Sequence, residues 1–270
     1  MGVLLLFLQC SCPRSSLSAL QNIALKCRLT VDHGLLTNGY DTVINVKEDC
    51  IMRQDLSELI FIIDRSGSMY GLESDTIGGF NRVLEENAKA PGECNITTYF
   101  FSDHAELIHD RIPVRGVHPI TSKDYIVGGC TALLDTLGTA ISKIEHIFAR
   151  TDESQLPAHV QFVIITDGFE NASREYTRDK IRRLILSHQE KDHWDFLFLG
   201  ADMDAIAEAG SYGIPADRAV STIGDADSVQ LAYDAVVCAS LDERAAPFAA
   251  PRSAKWKKTV ESDTARRSGR

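Results

Sequence analysis

Three short stretches carry oxygen side chains of the types that bind a hard cation. The first is "FIIDRSGS", in which an apolar run ends on Asp64 and is followed at once by Ser66 and Ser68. The second is "GGCT", ending on Thr131, and the third is "IITDG", where Asp167 closes another apolar run. Together they supply three neutral hydroxyls and two carboxylates. Mg²⁺ prefers near-octahedral oxygen coordination at about 2.0–2.1 Å and keeps some of its waters. Hydroxyl donors add no charge, so a cation held this way stays electron-poor and open to a carboxylate from another molecule. Gly67 lets the backbone turn tightly enough for both serines to face one way. Mn²⁺ is the second candidate for the same donor set.

These residues can meet only if the elements carrying them place their ends together. Leu59–Ile63, Phe162–Ile165 and Phe196–Leu199 are continuous apolar runs followed directly by Asp or Gly, the pattern of buried parallel strands. Helical periodicity lies between them. Ile77, Phe80, Leu84 and Ala88 step by three and four until Pro91-Gly92. The same spacing runs through Ala132–Phe148, Tyr176–His188, Asp204–Ala209 and Asp227–Ala239. The stretch "NITTYFFSDHAELIHDRIPV" instead alternates about a Ser-Asp-His turn, as a hairpin does. The expectation is a doubly wound α/β domain, its sheet mostly parallel with one antiparallel edge strand and helices on both faces. In such a sheet ligands bind beyond the carboxyl ends of the strands, where strand order reverses. All three oxygen-bearing motifs sit at such ends.

With the D-x-S-x-S of Asp64, Ser66 and Ser68, the Thr131 after Gly-Gly, and the T-D-G of Asp167, the sequence resembles the von Willebrand factor type A (vWA) domain family. The resemblance runs from about Ser57 to Leu241. It implies a Rossmann-like, six-stranded sheet and a metal-ion-dependent adhesion site built from those five residues. By resemblance Ser66 and Ser68 coordinate the metal directly, Thr131 does so in some states, and Asp64 and Asp167 act directly or through water. The likeness is to the intracellular bacterial branch, since no secretion signal or disulfide pattern stands out. The implied function is a metal-dependent protein-binding module without catalytic residues, in which a partner's Asp or Glu completes the Mg²⁺ shell.

A second class of function starts from the same residues. An apolar strand ending in Asp64 is similar to the nucleophilic strand end of haloacid-dehalogenase-like phosphatases, where a carboxylate attacks a phosphoryl group beside Mg²⁺. That chemistry needs another Asp two residues on, and position 66 is Ser. Neither a phosphate loop nor a nucleophile elbow with placed partners is present. Each candidate ligand also has a purely structural alternative. Asp64, Ser66 or Thr131 could cap the helix that follows, and Asp167-Gly168 could be a plain turn. Glu170, Asn171 and Ser173 read as capping the next helix, Cys130 as a small buried residue, Met69 as a flank of the metal face, and Arg65 as solvated or facing an acidic partner.

Bulk composition bounds the rest. The 270 residues are 44% hydrophobic and 24% charged, as in an ordinary globular domain. The formal net charge is -10, yet Ala245 to Arg270 carries seven Lys/Arg against two Asp/Glu. The acidic body argues against nucleic acid as a partner. Residues 242–270 are expected to form a basic, disordered tail after a vWA domain at 57–241. The opening "MGVLLLFLQCSC" has too short an apolar run for a secretion signal, and no stretch is long enough to span a membrane. With Met52 just ahead of the first strand, residues 1–56 are expected to be a poorly structured extension or an over-called start. Seven cysteines without a C-x-x-C pair point to a reducing cytoplasm.

Overall fold

The computed structural model describes residues 27–28, 49–50 and 52–267. The chain divides into two units, one of residues 1–53 with 152–156 and one of residues 54–151 with 157–270. In the first, Cys27–Arg28 and Asp49–Cys50 form a short antiparallel pair. Of the expected 1–56 extension, Arg53 to Leu56 begin the first long strand, and apart from these, Met52 and the short pair the rest lies outside the described residues.

The second unit is organised by a sheet of six strands: β1 (Arg53–Asp64), β2 (Glu93–Phe101), β3 (Ala105–Pro113), β4 (Pro157–Thr166), β5 (Asp195–Ala201) and β6 (Ala219–Thr222). Their order is β3-β2-β1-β4-β5-β6. The β1–β2, β4–β5 and β5–β6 pairs are parallel, and β3 returns antiparallel on β2 as the edge. Chain order therefore reverses between β1 and β4. The apolar runs seen in the sequence are the buried centres of longer strands, and β1 starts at Arg53, ahead of the expected boundary at 57. The short β6 "AVST" carries no apolar run of its own and is fixed by its register on β5.

Side chains alternate across each strand with period two, and the sheet sorts them into two cores. Leu59, Phe61 and Ile63 join Phe100, Val163, Ile165, Leu197 and Leu199 under helices α1 (Glu73–Lys89) and α5 (Ala226–Ala245). Ile60 and Ile62 join Phe101, Phe162, Ile164, Phe196 and Phe198 under α2 (Leu133–Phe148), α3 (Arg178–Lys191) and α4 (Ala205–Ser211). Glu58 interrupts the apolar face of β1 and is fully buried, with its pKa raised by burial. Arg111 of β3 answers it with a two-pronged contact, Nη2 to Oε2 at 2.9 Å and Nε to Oε1 at 3.1 Å. Pairing of this kind is what lets a carboxylate stay inside a sheet.

The C-terminal stretch departs from expectation. Residues 242–267 are not a disordered tail: α5 continues to Ala245, and α6 spans Lys258–Arg267. Trp256 and Val260 are buried in the first core. The basic residues that suggested a solvated tail are used locally. Lys257 donates to the carbonyls of Ala216 and Ala219 at 2.8 and 3.1 Å, Arg252 holds Glu243, and Arg267 holds Asp225. Thr264 donates to the carbonyl of Ser221. Carbonyls along the edge strand β6 are thus occupied by side chains of this segment, which blunts an otherwise sticky sheet edge.

Helix α1 contains adjacent glycines with opposite surroundings. A Cβ at Gly79 would lie 2.3–2.9 Å from the ring and Cβ of Tyr233 in α5, whereas one at Gly78 would meet nothing within 4 Å. Gly79→Ala should therefore cost about 1–3 kcal/mol through overpacking. Gly78→Ala should gain about 0.5–1 kcal/mol through helix propensity. Urea unfolding of the two variants beside the parent would show shifts of opposite sign.

Candidate metal centre

Asp64 is the last residue of β1 and is fully buried. Its Oδ1 accepts the Ser66 N–H at 2.7 Å, and its Oδ2 accepts the Thr166 hydroxyl at 2.6 Å. The Tyr125 hydroxyl donates to its carbonyl oxygen. Ser66 and Ser68 flank the start of a 3₁₀ turn at Gly67–Met69, with their hydroxyls 3.1 Å apart. Ser68 then donates to Asp167 Oδ1 at 2.6 Å. Thr131 is buried at the end of the long connection from β3 to α2.

That connection is pinned by main-chain bonds. The Gly128 N–H donates to Arg65 O at 2.8 Å, Gly67 N–H to Gly129 O at 3.1 Å, and Ala132 N–H to Ser102 O at 2.8 Å. Gly129 has φ +86°, a conformation that favours glycine, and a Cβ there would also press on Asp103 Oδ2 at 2.4 Å. Gly168 marks the convergence itself. A Cβ at that position would stand 2.9 Å from Thr131 Oγ1, 3.4 Å from Ser68 Oγ and 3.7 Å from Asp64 Oδ2. Oxygens from two separate segments thus converge on one small volume that the glycine of a third leaves clear.

The capping alternatives do not describe these side chains. Neither the Gly67–Met69 turn, capped by Ser66, nor α2, capped by Ala132, has a side-chain cap bond from its N-cap residue. The donors of α2 are served by the loop after β4. Glu170 Oε2 accepts the Leu134 N–H at 2.8 Å and Ser173 Oγ accepts that of Asp135 at 3.0 Å. Asn171 Oδ1 accepts the Thr131 N–H at 2.9 Å, and its own N–H donates to Thr131 O at 3.0 Å. Glu170 and Ser173 therefore cap the helix before them, not the one after, while Asn171 holds Thr131. With both its main-chain groups held, Thr131 need not spend its hydroxyl on the helix.

Other neighbours also differ from expectation. Cys130 is exposed, and the Asp103 carboxylate that accepts its N–H also raises its thiol pKa. Met69 is buried in the core rather than flanking the site. Arg65 is paired with Glu106 at 2.6 Å. Two contributors escaped sequence reading. Thr166 left a trace as a hydroxyl ending an apolar strand, whereas Tyr125 left none, its role depending on how the loop folds back.

Burial holds the Asp64 carboxyl well above the usual range, to about 6, against the opposing pull of its hydrogen bonds from Thr166 and Ser66. Burial also raises Asp167, and the charge of Asp202 adds to it. Among the described residues neither carboxylate has a Lys or Arg ion-pair partner, and the nearest candidate in sequence, Arg65, is occupied. Among the described residues no three His, Cys, Asp or Glu side chains are grouped to hold a metal. The donor set here is different: two carboxylates with hydroxyls, the composition suited to a hard cation.

A doubly wound α/β domain with an oxygen-lined cleft at its switch point is the class these observations define, and the chain has the von Willebrand factor type A fold. Among solved structures, it is similar to the pilus adhesin SpaC of Lactobacillus rhamnosus GG, at 13% identity over 69% of this chain and 30% of that one, TM-score 0.50. It is also similar to proximal thread matrix protein 1 of the mussel byssus with a zinc-occupied MIDAS motif, at 16% identity over 68% of this chain and 46% of that one, TM-score 0.48. A von Willebrand factor type A protein from Catenulispora acidiphila matches at 16% identity over 69% and 43%, TM-score 0.46. The chain spans less than half the length of each. No family model and no curated protein sequence matches it. Among the described residues no helix is long and apolar enough to cross a membrane.

A raised carboxyl pKa has a definite consequence for stability. Without metal, folded Asp64 keeps its proton up to about pH 6, whereas the unfolded chain releases it near 3.8. The folded state therefore binds more protons between these values, and stability falls as pH rises through that window. The loss is up to about 3 kcal/mol. In EDTA, Asp64→Asn should be more stable than the parent above pH 6 and no more stable below pH 4. Denaturant unfolding between pH 3.5 and 7.5 checks this.

Proposed function

We propose that this domain is a metal-dependent protein-binding module. Ser66, Ser68, Thr131, Asp64 and Asp167 would hold Mg²⁺, with Mn²⁺ as an alternative, and an Asp or Glu of a partner would complete its shell. The observation that carries this reading is the convergence of Thr131 Oγ1, Ser68 Oγ and Asp64 Oδ2 around the space kept open by Gly168. When bound, the cation would supply a Lewis-acidic position able to take an incoming carboxylate. The chain's own residues prepare that position. The Thr166 hydroxyl and Ser66 N–H orient Asp64, Ser68 links to Asp167, and the Glu170–Asn171 loop fixes Thr131. A fully buried and a half-buried carboxylate, with no Lys or Arg ion-pair partner among the described residues, favour a bound cation on electrostatic grounds.

A phosphatase reading finds less support. Position 66 offers a hydroxyl where that chemistry needs a second carboxylate, and both Asp64 oxygens already accept hydrogen bonds within a fully buried position. A cytosolic setting belongs to the proposal and is supported by the free thiols of Cys94, Cys130 and Cys238.

Calorimetric titration of Mg²⁺ and Mn²⁺ into the full chain tests the reading. Saturable one-site binding is expected for the parent and should be lost in Asp64→Ala and Ser66→Ala, both still folded by circular dichroism. Metal binding that survives Asp64→Ala would refute the assignment. Magnesium-dependent phosphate release from a generic ester would move the function to the enzyme class.

A further inference from the structure

The three most exposed large apolar side chains among the described residues are Tyr70, Ile126 and Phe169, at 83%, 66% and 60% exposure. The others, Leu107, Leu186 and Ile206, are only 38–42% exposed and sit on β3, α3 and α4. The first three lie instead on the loops that build the site. Tyr70 follows the Gly67–Met69 turn that carries Ser68, and its N–H returns to Gly67 O. Ile126 follows Tyr125, whose hydroxyl is on the Asp64 carbonyl, and lies two residues before Gly128, bonded to Arg65 O. Phe169 follows Gly168, at the centre of the converging oxygens. Consecutive Cα atoms are about 3.8 Å apart, so each side chain starts within one or two residue steps of an atom that builds the site. Single exposed apolar residues need no explanation, but three on the loops that build one site mark an interaction surface.

The charge around the cleft narrows what can dock there. Asp103 and Asp202 are both exposed, the first bonded to the Cys130 N–H at 3.0 Å and the second felt electrostatically at Asp167. A strongly acidic segment would be repelled everywhere except at the cation itself. We infer that Tyr70, Ile126 and Phe169 form an apolar rim that selects a protein segment presenting a single carboxylate between apolar or aromatic side chains. The inference rests on the metal-binding reading above and specifies its partner. The carboxylate goes to the cation while its apolar neighbours cover the rim, so discrimination comes from the flanking side chains and attachment from the metal.

Three fluorescent pentapeptides with a central Asp test this on the full chain, with flanks of glycine, of Leu and Phe, or of further Asp, each in Mg²⁺ and in EDTA. Anisotropy should show the Leu/Phe peptide binding at least 10-fold more tightly than the glycine peptide in Mg²⁺, and the all-Asp peptide no better than the glycine one. The variant Tyr70→Ser/Ile126→Ser/Phe169→Ser should reduce the Leu/Phe peptide to the glycine level while calorimetric Mg²⁺ binding is unchanged. Equal affinities, a preference that survives the triple variant, or no binding of any peptide would overturn the rim as a recognition surface. A concentration-dependent dimer in sedimentation that the triple variant abolishes would assign the rim to a second copy instead. Failure of the metal reading is separate: it would show as absent Mg²⁺ binding in calorimetry, or as peptide binding indifferent to EDTA.

Discussion

The arrangement of this domain turns on placing the Asp64 carboxylate, fully buried, at the end of a central strand. Taking an ionised carboxylate out of water costs several kcal/mol unless charge or hydrogen bonds replace the lost solvent. Here the protein supplies hydrogen bonds from Ser66 and Thr166 and a raised pKa, but no Lys or Arg partner among the described residues. The contrast with Glu58 on the same strand is instructive. Glu58 is equally buried but receives the forked guanidinium of Arg111, so its place in the sheet is closed and structural. Asp64 is left with an electrostatic deficit beside the space that Gly168 leaves clear.

The surrounding loops are organised to keep that deficit in place. A helix start needs its free N–H groups satisfied, and the obvious local acceptor for α2 would have been Thr131 or a residue beside it. Instead Glu170 and Ser173 reach across from the loop after β4 and take over the task, while Asn171 holds Thr131. The same bonds tie the Asp167 loop to the Thr131 loop, so two of the three segments that carry the proposed ligands are held to each other by the fold itself. Such preorganisation lowers what binding must spend on ordering.

The basic C-terminal segment shows the same economy at the far edge of the sheet. Its net positive charge is real, but Lys257, Arg252 and Arg267 each find a carbonyl or carboxylate on the body, and Trp256 and Val260 add apolar anchors. Composition averages over such pairings, so a stretch rich in Lys and Arg reads as solvated even when several of its charges have a neighbour. Two buried side chains outweighed the average.

What the sequence alone determined is whatever depends on local pattern. Continuous apolar runs marked three of the parallel strands, three-and-four spacing marked α1 to α5 but not α6, and D-x-S-x-S, "GGCT" and "TDG" marked the five oxygen residues at the ends of those elements. The short strand β6, the buried Glu58–Arg111 pair, the Tyr125 bond to Asp64, the exposure of Cys130 and the capping of α2 from another loop were decided only in the tertiary structure. Each depends on residues distant in the chain, such as Asp64 with Thr166 or Thr131 with Asn171, and no window along the sequence contains both partners. Periodicity reports which face a residue turns toward the core. Which neighbour it meets there is set by the strand order, because β1 touches β4 only once the sheet has been assembled.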